Sequence, residues 1–323
     1  MLQPTPQCDL CNSSRVARRG RCAPRRELSS GFAALACVAA LLLGAGCKSV
    51  EKQTWDAENK LGLNLSALER ATSGIPLYPS HQRDWAPQHS RLPSVEFDGS
   101  KVAVHDVRNF DYITESEYIA RFEDRKYDLR DLETVDYIVV PFAAAPLLAH
   151  TMLSFGFGRD QYLVTSVEVR LEKGESYSPL LGAMRQFEIM YVLADERDAI
   201  KLRTEVRKDD VYVYRVKAPP EKVRELFIDV AERVNQIHDA PEFYDTLTNN
   251  CTTNIVQHVN RIAPNSIPYG GQVLLPGMSG QLAYNLGLLD RSVPYDELQR
   301  RSNVTARAHA HRRDKDFSRE IRR

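Results

Sequence analysis

The chain has 323 residues and equal numbers of basic and acidic side chains, 43 of each, so its formal net charge is zero at pH 7. This balance gives no support to a function in binding nucleic acids. The apolar content of 43% permits a well-packed core, and the chain is long enough for one large domain or two small ones.

Residues 1–46 are predicted to be an export signal. The uncharged run GFAALACVAALLLGAGC, at 31–47, follows an arginine-rich stretch and is shorter than the roughly 20 residues of a spanning helix. It ends in Cys47 and resembles a lipobox, in which the cysteine becomes the acylated N-terminus, although Gly44 replaces the usual leucine. We therefore predict lipid attachment at Cys47 and a place on the periplasmic side of the outer membrane. The alternatives are a plain signal peptide and an uncleaved anchor.

Residues 47–97 are predicted to be a tether, because they contain several prolines and show little periodicity. The domain is expected over 98–295. Its first elements are a strand, KVAVHDV at 101–107, and a short helix in TESEYIARFEDR that opens with a capping box from Thr114 to Glu117. The β-branched run VDYIVVPF, at 135–142, predicts a buried strand.

A strand hairpin is expected over 150–170, and QFEIMYVL and DVYVYRV continue the strand pattern. PPEKVRELFIDVAERVNQI predicts an amphipathic helix, and a second helix follows in 251–262. The basic tail at 296–323 is expected to be mobile. These elements predict an α+β fold with a mainly antiparallel sheet and packed helices.

Cys251 is the only cysteine after Cys47. Asn249 or Asn250 is expected to cap the helix, which places Cys251 in its first turn. The unpaired N–H groups and the helix dipole there favour a thiolate and can stabilise an oxyanion. A lone cysteine in an exported protein has no disulfide partner, which favours a chemical role. The alternative is a buried cysteine that only packs.

His150 is the preferred base for this thiol. Matching the apolar faces of the hairpin across a three-residue loop places Met152 opposite Ser166 and His150 opposite Glu168. A carboxylate beside a histidine orients the ring and stabilises the imidazolium. The alternative for Glu168 is a solvated polar face shared with Arg170. His258 lies two helical turns from Cys251, too far for proton transfer, whereas His105 and His238 stay open as alternatives.

Several stretches resemble the Lnb N-terminal periplasmic domain family, over about residues 98–320. They are HTMLSFGF, SVEVRLEKGESYSP, ADERDAIKLRT, DDVYVYRV, PEFYDTLTNNCTTN and DFSREIRR. The order of a strand histidine followed by a cysteine at a helix N-terminus is similar to circularly permuted, NlpC-type papain-like enzymes. This resemblance implies Cys251 as nucleophile and His150 as base, with Glu168 or Ser166 orienting the base and N–H groups at 251 and Thr252 holding the oxyanion.

The resulting hypothesis is an exported lipoprotein with thiol-dependent hydrolase or transferase activity on an amide or ester. Peptide cross-links of the cell wall and acyl lipids are the two substrate classes that the compartment and the resemblance allow. No metal or organic cofactor is predicted. The alternative is a non-catalytic envelope module that binds a partner or a glycan through its polar face and basic tail.

Overall fold

The computed structural model describes residues 78–115, 117–158 and 161–323. Its strands are β1 (Ser94–Asp98), β2 (Lys101–Arg108), β3 (Asp111–Tyr112), β4 (Tyr118–Ile119), β5 (Phe122–Asp128), β6 (Leu132–Phe142), β7 (Ala145–Phe157), β8 (Gln161–Arg170), β9 (Glu188–Asp195) and β10 (Tyr212–Arg215). Its α-helices are α1 (Pro179–Ala183), α2 (Glu196–Lys201), α3 (Pro220–Asp239), α4 (Cys251–Ile262), α5 (Gly271–Leu274), α6 (Ser279–Asn285), α7 (Tyr295–Ser302), α8 (Thr305–Ala310) and α9 (Phe317–Glu320). A π-helix at Leu202–Arg207 continues α2.

One large sheet forms the centre of the domain, in the order β1-β2-β9-β8-β7-β6-β10, and β5 also pairs with β2. Its strand pairs are antiparallel except for β2 with β9. The strands β3 and β4 form a separate two-stranded sheet. The predicted α+β class with a mostly antiparallel sheet is therefore confirmed.

Each face of the sheet carries its own core, because side chains alternate along a strand. On the first face, Leu153 and Phe155 of β7 pack with residues of α3 and α4, and Phe227 of α3 meets Phe155 edge-on at 5.2 Å. On the second face, Met152 packs with Ile200 of α2 and with buried residues of α8 and α9. The first face is called the α4 face below, and the second is called the α2 face.

The folded domain begins earlier than the predicted boundary at residue 98. Tyr78 and Trp85 are buried, and β1 is a strand of the main sheet. The Arg170 guanidinium stacks on the Trp85 ring at 4.1 Å and its Nε donates to the His89 carbonyl oxygen. The prolines and weak periodicity therefore wrongly predicted a tether for the residues from Tyr78 onward. Contacts of single side chains, and not a repeating apolar stripe, hold this segment against the domain. The predicted tether up to residue 77, and Cys47 with it, lies outside the described residues.

The described residues of TESEYIARFEDR do not form the expected helix, and β4 and β5 occupy most of this stretch instead. The Glu117 N–H does donate to Thr114 Oγ1 at 2.9 Å, as in a capping box. However, the N–H groups of Ile113 and Thr114 donate to the Glu117 carbonyl oxygen, so the contact closes a turn between β3 and β4. The same local hydrogen bond serves a turn or a helix start, and tertiary packing decides between them.

The C-terminal residues are packed, in contrast to the predicted mobile tail. Phe317 and Ile321 are buried in the core of the α2 face. Arg322 donates to Asp136 Oδ2 at 2.7 Å and also pairs with Glu196. The basic composition of this segment predicted mobility, but two buried apolar side chains and the ion pairs of Arg322 hold the segment in place.

Candidate functional site around Cys251 and the His150 cluster

Cys251 is the first residue of α4, where the sequence predicts it. Asn250 caps the helix: its side chain accepts from the Thr253 N–H at 2.9 Å, and Thr253 Oγ1 accepts from the Asn250 N–H at 2.8 Å. The amides of Cys251 and Thr252 have no acceptor inside the helix. Two N–H groups therefore remain beside the thiol for a developing oxyanion.

The loop before Cys251 is held by several hydrogen bonds. Asn249 Nδ2 donates to the Phe243 carbonyl oxygen at 2.8 Å, and Asn249 Oδ1 accepts from Asn254 at 3.0 Å. Asn250 Nδ2 donates to the Thr246 carbonyl oxygen at 2.6 Å. Asn250 therefore caps the helix, as one of the two expected candidates, while Asn249 fixes the approach of the chain.

The thiol itself lies in a mostly covered position, with Cys251 only 8% exposed. Its Sγ is 3.8 Å from Thr252 Oγ1, which in turn lies 3.0 Å from Thr151 Oγ1 on β7. The tyrosines 137 and 244 also interact with the thiol, and burial raises the pKa of both. Hydroxyl groups, and no imidazole, therefore surround Cys251 in the described part of the chain.

A cavity of about 250 Å³ lies under α4. Its walls are almost entirely apolar and come from β6, β7, α3, α4 and the 266–289 segment. Ile255, Val256 and Val259 of α4 line it, together with Thr252, the neighbour of the nucleophile candidate. A space of this chemistry suits a hydrocarbon chain and not a charged peptide.

His150 contacts Ser166 and Glu168, the two partners proposed from the strand register. The register pairs Met152 with Ser166, as predicted. His150 Nε2 lies 2.7 Å from Ser166 Oγ, and Ser166 Oγ donates to Glu168 Oε1 at 2.9 Å. Because the serine proton goes to the carboxylate, the ring must donate from Nε2. Burial and the Arg203 charge lower the pKa of His150 to about 3, so the ring is neutral.

Glu168 is the centre of a buried charge cluster on the α2 face. Arg203 Nη2 lies 3.5 Å from its Oε1, and Arg108 Nη1 lies 3.9 Å from its Oε2. Burial raises the pKa of Glu168, but the Arg108 and Arg203 guanidinium groups outweigh it and hold that pKa well below its usual range. Arg108 also forms a two-point contact with the Asp198 carboxylate. The carboxylate is therefore ionised and serves as the main anion of this cluster.

The sheet separates His150 from Cys251. Thr151 points toward α4, where it meets Thr252, so the preceding residue points to the opposite face. The contacts of His150 with Ser166, and those of Glu168 with Arg203, confirm this direction. The structure thus brings Thr252, the neighbour of the thiol, to the Thr151 side chain but does not assemble the predicted cysteine–histidine pair.

Arg170 and His258, two further residues weighed in the sequence analysis, belong neither to the surroundings of Cys251 nor to the His150 cluster. Arg170 is buried against Trp85 and does not share a solvated face with Glu168. His258 is buried on α4, where its Nδ1 lies 2.6 Å from Asp229 Oδ2 and its Nε2 lies 2.8 Å from the Tyr191 hydroxyl. His258 is therefore a structural residue, two turns from the thiol, as its spacing indicated.

Sequence reasoning missed Arg108, Asp198 and Arg203, which surround Glu168, and Thr151, which reaches α4. The alternation of side chains along β7 could have predicted the direction of Thr151, because neighbouring residues of a strand point to opposite faces of the sheet. No local pattern marked Arg203, since its position depends on the π-helix that continues α2.

No metal-binding group of three or more His, Cys, Asp or Glu side chains occurs among the described residues. The helices of the described ranges also include none that is long and apolar enough to cross a membrane.

Residues 118–275 match the family model described as the Lnb N-terminal periplasmic domain. This range includes β7, β8 and α4, and hence both the thiol and the histidine cluster. No curated protein and no solved structure matches the chain. A periplasmic domain implies a location in the cell envelope.

Proposed function

We propose that this chain, whose residues 118–275 match the Lnb N-terminal periplasmic domain family, is an envelope enzyme that transfers or hydrolyses acyl groups through Cys251. The observation that carries the proposal is the apolar cavity under α4, which is lined by Thr252, the residue after the Cys251 thiol in the first turn of that helix. Between the two substrate classes that the sequence left open, an apolar cavity favours acyl lipids over cell-wall peptides. Lipid attachment at Cys47 is part of the same proposal.

The proposed reaction begins with the Cys251 thiolate, at the N-terminus of α4. Its sulfur attacks the carbonyl carbon of an acyl ester, and the N–H groups of Cys251 and Thr252 hold the oxyanion. The carbon–oxygen bond then breaks, the alcohol leaves with a proton from water, and a thioester remains. Water, or the nucleophile of an acceptor, then takes the acyl group and restores the thiol.

A permuted papain-like, NlpC-like arrangement is a further part of the proposal. It is supported by the chain order, in which a histidine strand precedes a cysteine at the start of a helix packed on the sheet. In that arrangement His150 would be the base. Since its ring lies on the α2 face, we assign activation of the thiol to the helix terminus and assign His150, Ser166 and Glu168 to a structural network.

The test is capture of the thioester. Intact-mass spectrometry of protein treated with butanoyl and dodecanoyl p-nitrophenyl esters should show an acyl adduct that hydroxylamine removes, and Cys251→Ala should show none. Val259→Phe, which fills the cavity from a half-buried position, should reduce the dodecanoyl adduct and spare the butanoyl adduct. Equal loss of both adducts would contradict a role of the cavity in chain binding.

A second candidate is a non-catalytic module that binds an apolar chain. It is favoured by the 8% exposure of Cys251 and by the direction of the His150 ring. This module would bind a fluorescent fatty acid equally well as wild type and as Cys251→Ala, and neither protein would form a thioester. Wild-type thioester formation would exclude it.

A further inference from the structure

Three stretches of the chain lack charged side chains and also reach the surface. Residues 141–149, 176–184 and 264–289 contain no Asp, Glu, Lys or Arg, in a chain with 27% charged residues. The first includes the turn between β6 and β7, the second includes α1, and the third includes α5 and α6. Their burial does not explain this composition, because each exposes large apolar side chains.

Six exposed apolar side chains, five of them in these stretches and Leu247 in the loop before α4, form what we call the apolar rim. Its members are between 41% and 66% exposed. They are Leu147, Leu180, Leu181, Leu247, Tyr269 and Leu274. Single exposed apolar residues are common on proteins, but a group of them on adjoining segments marks an interaction surface.

The rim surrounds the start of α4. On one side, Thr246 Oγ1 donates to the Pro179 carbonyl oxygen of α1 at 2.8 Å, and the Thr246 carbonyl oxygen accepts from Asn250. On the other side, α5 packs against α4, and Tyr269, just before α5, interacts with Thr253 in the first turn of α4. These three segments, α1, the loop at Thr246 and the stretch around Tyr269, thus adjoin the start of α4, whose first residue is Cys251.

The turn between β6 and β7 joins this group through Gly277. A Cβ atom at Gly277 would lie 2.0 Å from the Pro146 carbonyl oxygen, so the two backbones touch and only glycine fits. This contact places Leu147 beside the 264–289 segment. The same segment contributes Ile267, Val273 and Leu282 to the wall of the apolar cavity.

We propose that the apolar rim docks onto the surface of a lipid bilayer. This inference rests on the proposed function and identifies the bilayer as the source of the acyl groups that Cys251 would accept. The charged residues beside α1 and Leu247, Arg185 and Asp245, pair with each other at 3.3 Å and so leave no net charge for a charged protein partner. An apolar surface spread over four short segments suits the headgroup and acyl boundary of a membrane.

The length of chain between the predicted lipid attachment site and the described domain supports a bilayer as the partner of the rim. Cys47, the predicted lipid attachment site, and Tyr78, the first described residue, are 31 positions apart, and a segment of that length spans at most about 110 Å. The membrane that holds the lipid would therefore always be within reach of the rim. An acyl chain could then pass from the bilayer to the cavity wall without crossing bulk water, which the hydrophobic effect opposes.

The experiment measures depth in the membrane with the full chain reconstituted in phosphatidylethanolamine and phosphatidylglycerol vesicles. Leu147→Trp and Leu180→Trp place fluorophores at two separate parts of the rim. Ile119→Trp is the control, because Ile119 is 50% exposed on β4, away from the rim. Brominated lipids should quench both rim fluorophores and leave the control unquenched. Equal quenching at all three positions, or none at the rim, would overturn the proposal.

A second measurement separates docking from catalysis. The double variant Leu147→Asp and Leu180→Asp should lose acylation by vesicle-embedded esters by at least about tenfold, since two leucine side chains no longer enter the lipid. Its acylation by the soluble butanoyl ester should stay at the wild-type level. Rim quenching without any thioester at Cys251 would refute the proposed function alone. A thioester formed equally well from vesicle esters by the double variant would refute docking alone.

Discussion

Glu168→Gln removes the central negative charge of the cluster on the α2 face and keeps the size of the side chain. The Glu168 side chain is 16% exposed, and Arg203 and Arg108 lie 3.5 and 3.9 Å from its oxygens. Arg108 keeps Asp198 as its partner. Arg203, with a side chain only 5% exposed, has no other ion pair in the described part of the chain. The substitution therefore leaves a buried guanidinium without a counter-charge.

The cost follows from that unpaired charge. Removing one partner of a buried ion pair destabilises a protein by about 3–5 kcal/mol. The partial exposure of Glu168 and its 3.5 Å separation from Arg203 reduce the expected loss to about 2–3 kcal/mol. Urea unfolding at pH 7 measures this loss. Glu133→Gln is the matched control, since Glu133 is an exposed residue of β6 without an ion pair in the described structure, and its effect should stay within about 0.5 kcal/mol.

The stability that Glu168 contributes should depend on pH, and the direction of its pKa shift sets the sign of that dependence. The two arginines hold the pKa of Glu168 below its usual range, so the folded state releases this proton more readily than the unfolded state. The stabilisation is therefore fully present above the unfolded pKa of about 4.3 and is lost as the pH falls below it. The difference between wild type and Glu168→Gln should shrink accordingly.

The same variant tests the separation of the two faces. Alkylation of Cys251 by iodoacetamide should proceed at the wild-type rate at each pH, because the sheet lies between Cys251 and Glu168. Slower alkylation in Glu168→Gln would refute this separation and would restore the cysteine–histidine pair. Wild-type stability at pH 7 would refute the role of Glu168 as the counter-charge of Arg203.

Three other predictions follow from the packing at the two ends of the domain and from the export signal. Phe317→Ala should cost about 3–5 kcal/mol in unfolding free energy, because the ring is 1% exposed in the α2-face core, and an unchanged value would mean that the tail is not packed. Arg83→Ala should speed proteolytic cleavage within 78–92, because it removes the 2.6 Å contact with Glu188, and Lys173→Ala, at an exposed ion pair, is the control. Cys47→Ala should abolish labelling with radioactive palmitate, and a labelled variant would disprove the lipoprotein prediction.

The sequence by itself determined the features that depend on neighbouring residues. The stripe of Val223, Phe227 and Val230 predicted α3, since a 3.6-residue period needs no knowledge of the partner. A cap at Asn249 or Asn250 and the first-turn position of Cys251 followed from the neighbouring side chains, and the structure assigns the cap to Asn250. The pairing of Met152 with Ser166 followed from the two-residue period of strands and the short loop.

Only the tertiary structure decided which of these features meet. Strand alternation already sets His150 and Thr151 apart, but the face that α4 covers depends on long-range packing, and so the pairing of His150 with Cys251 could not be judged from spacing. Arg203 reaches Glu168 because a π-helix continues α2, which no local propensity indicates. The burial of Trp85 and Phe317 likewise results from single contacts with distant strands, and these leave no periodic signal in the chain.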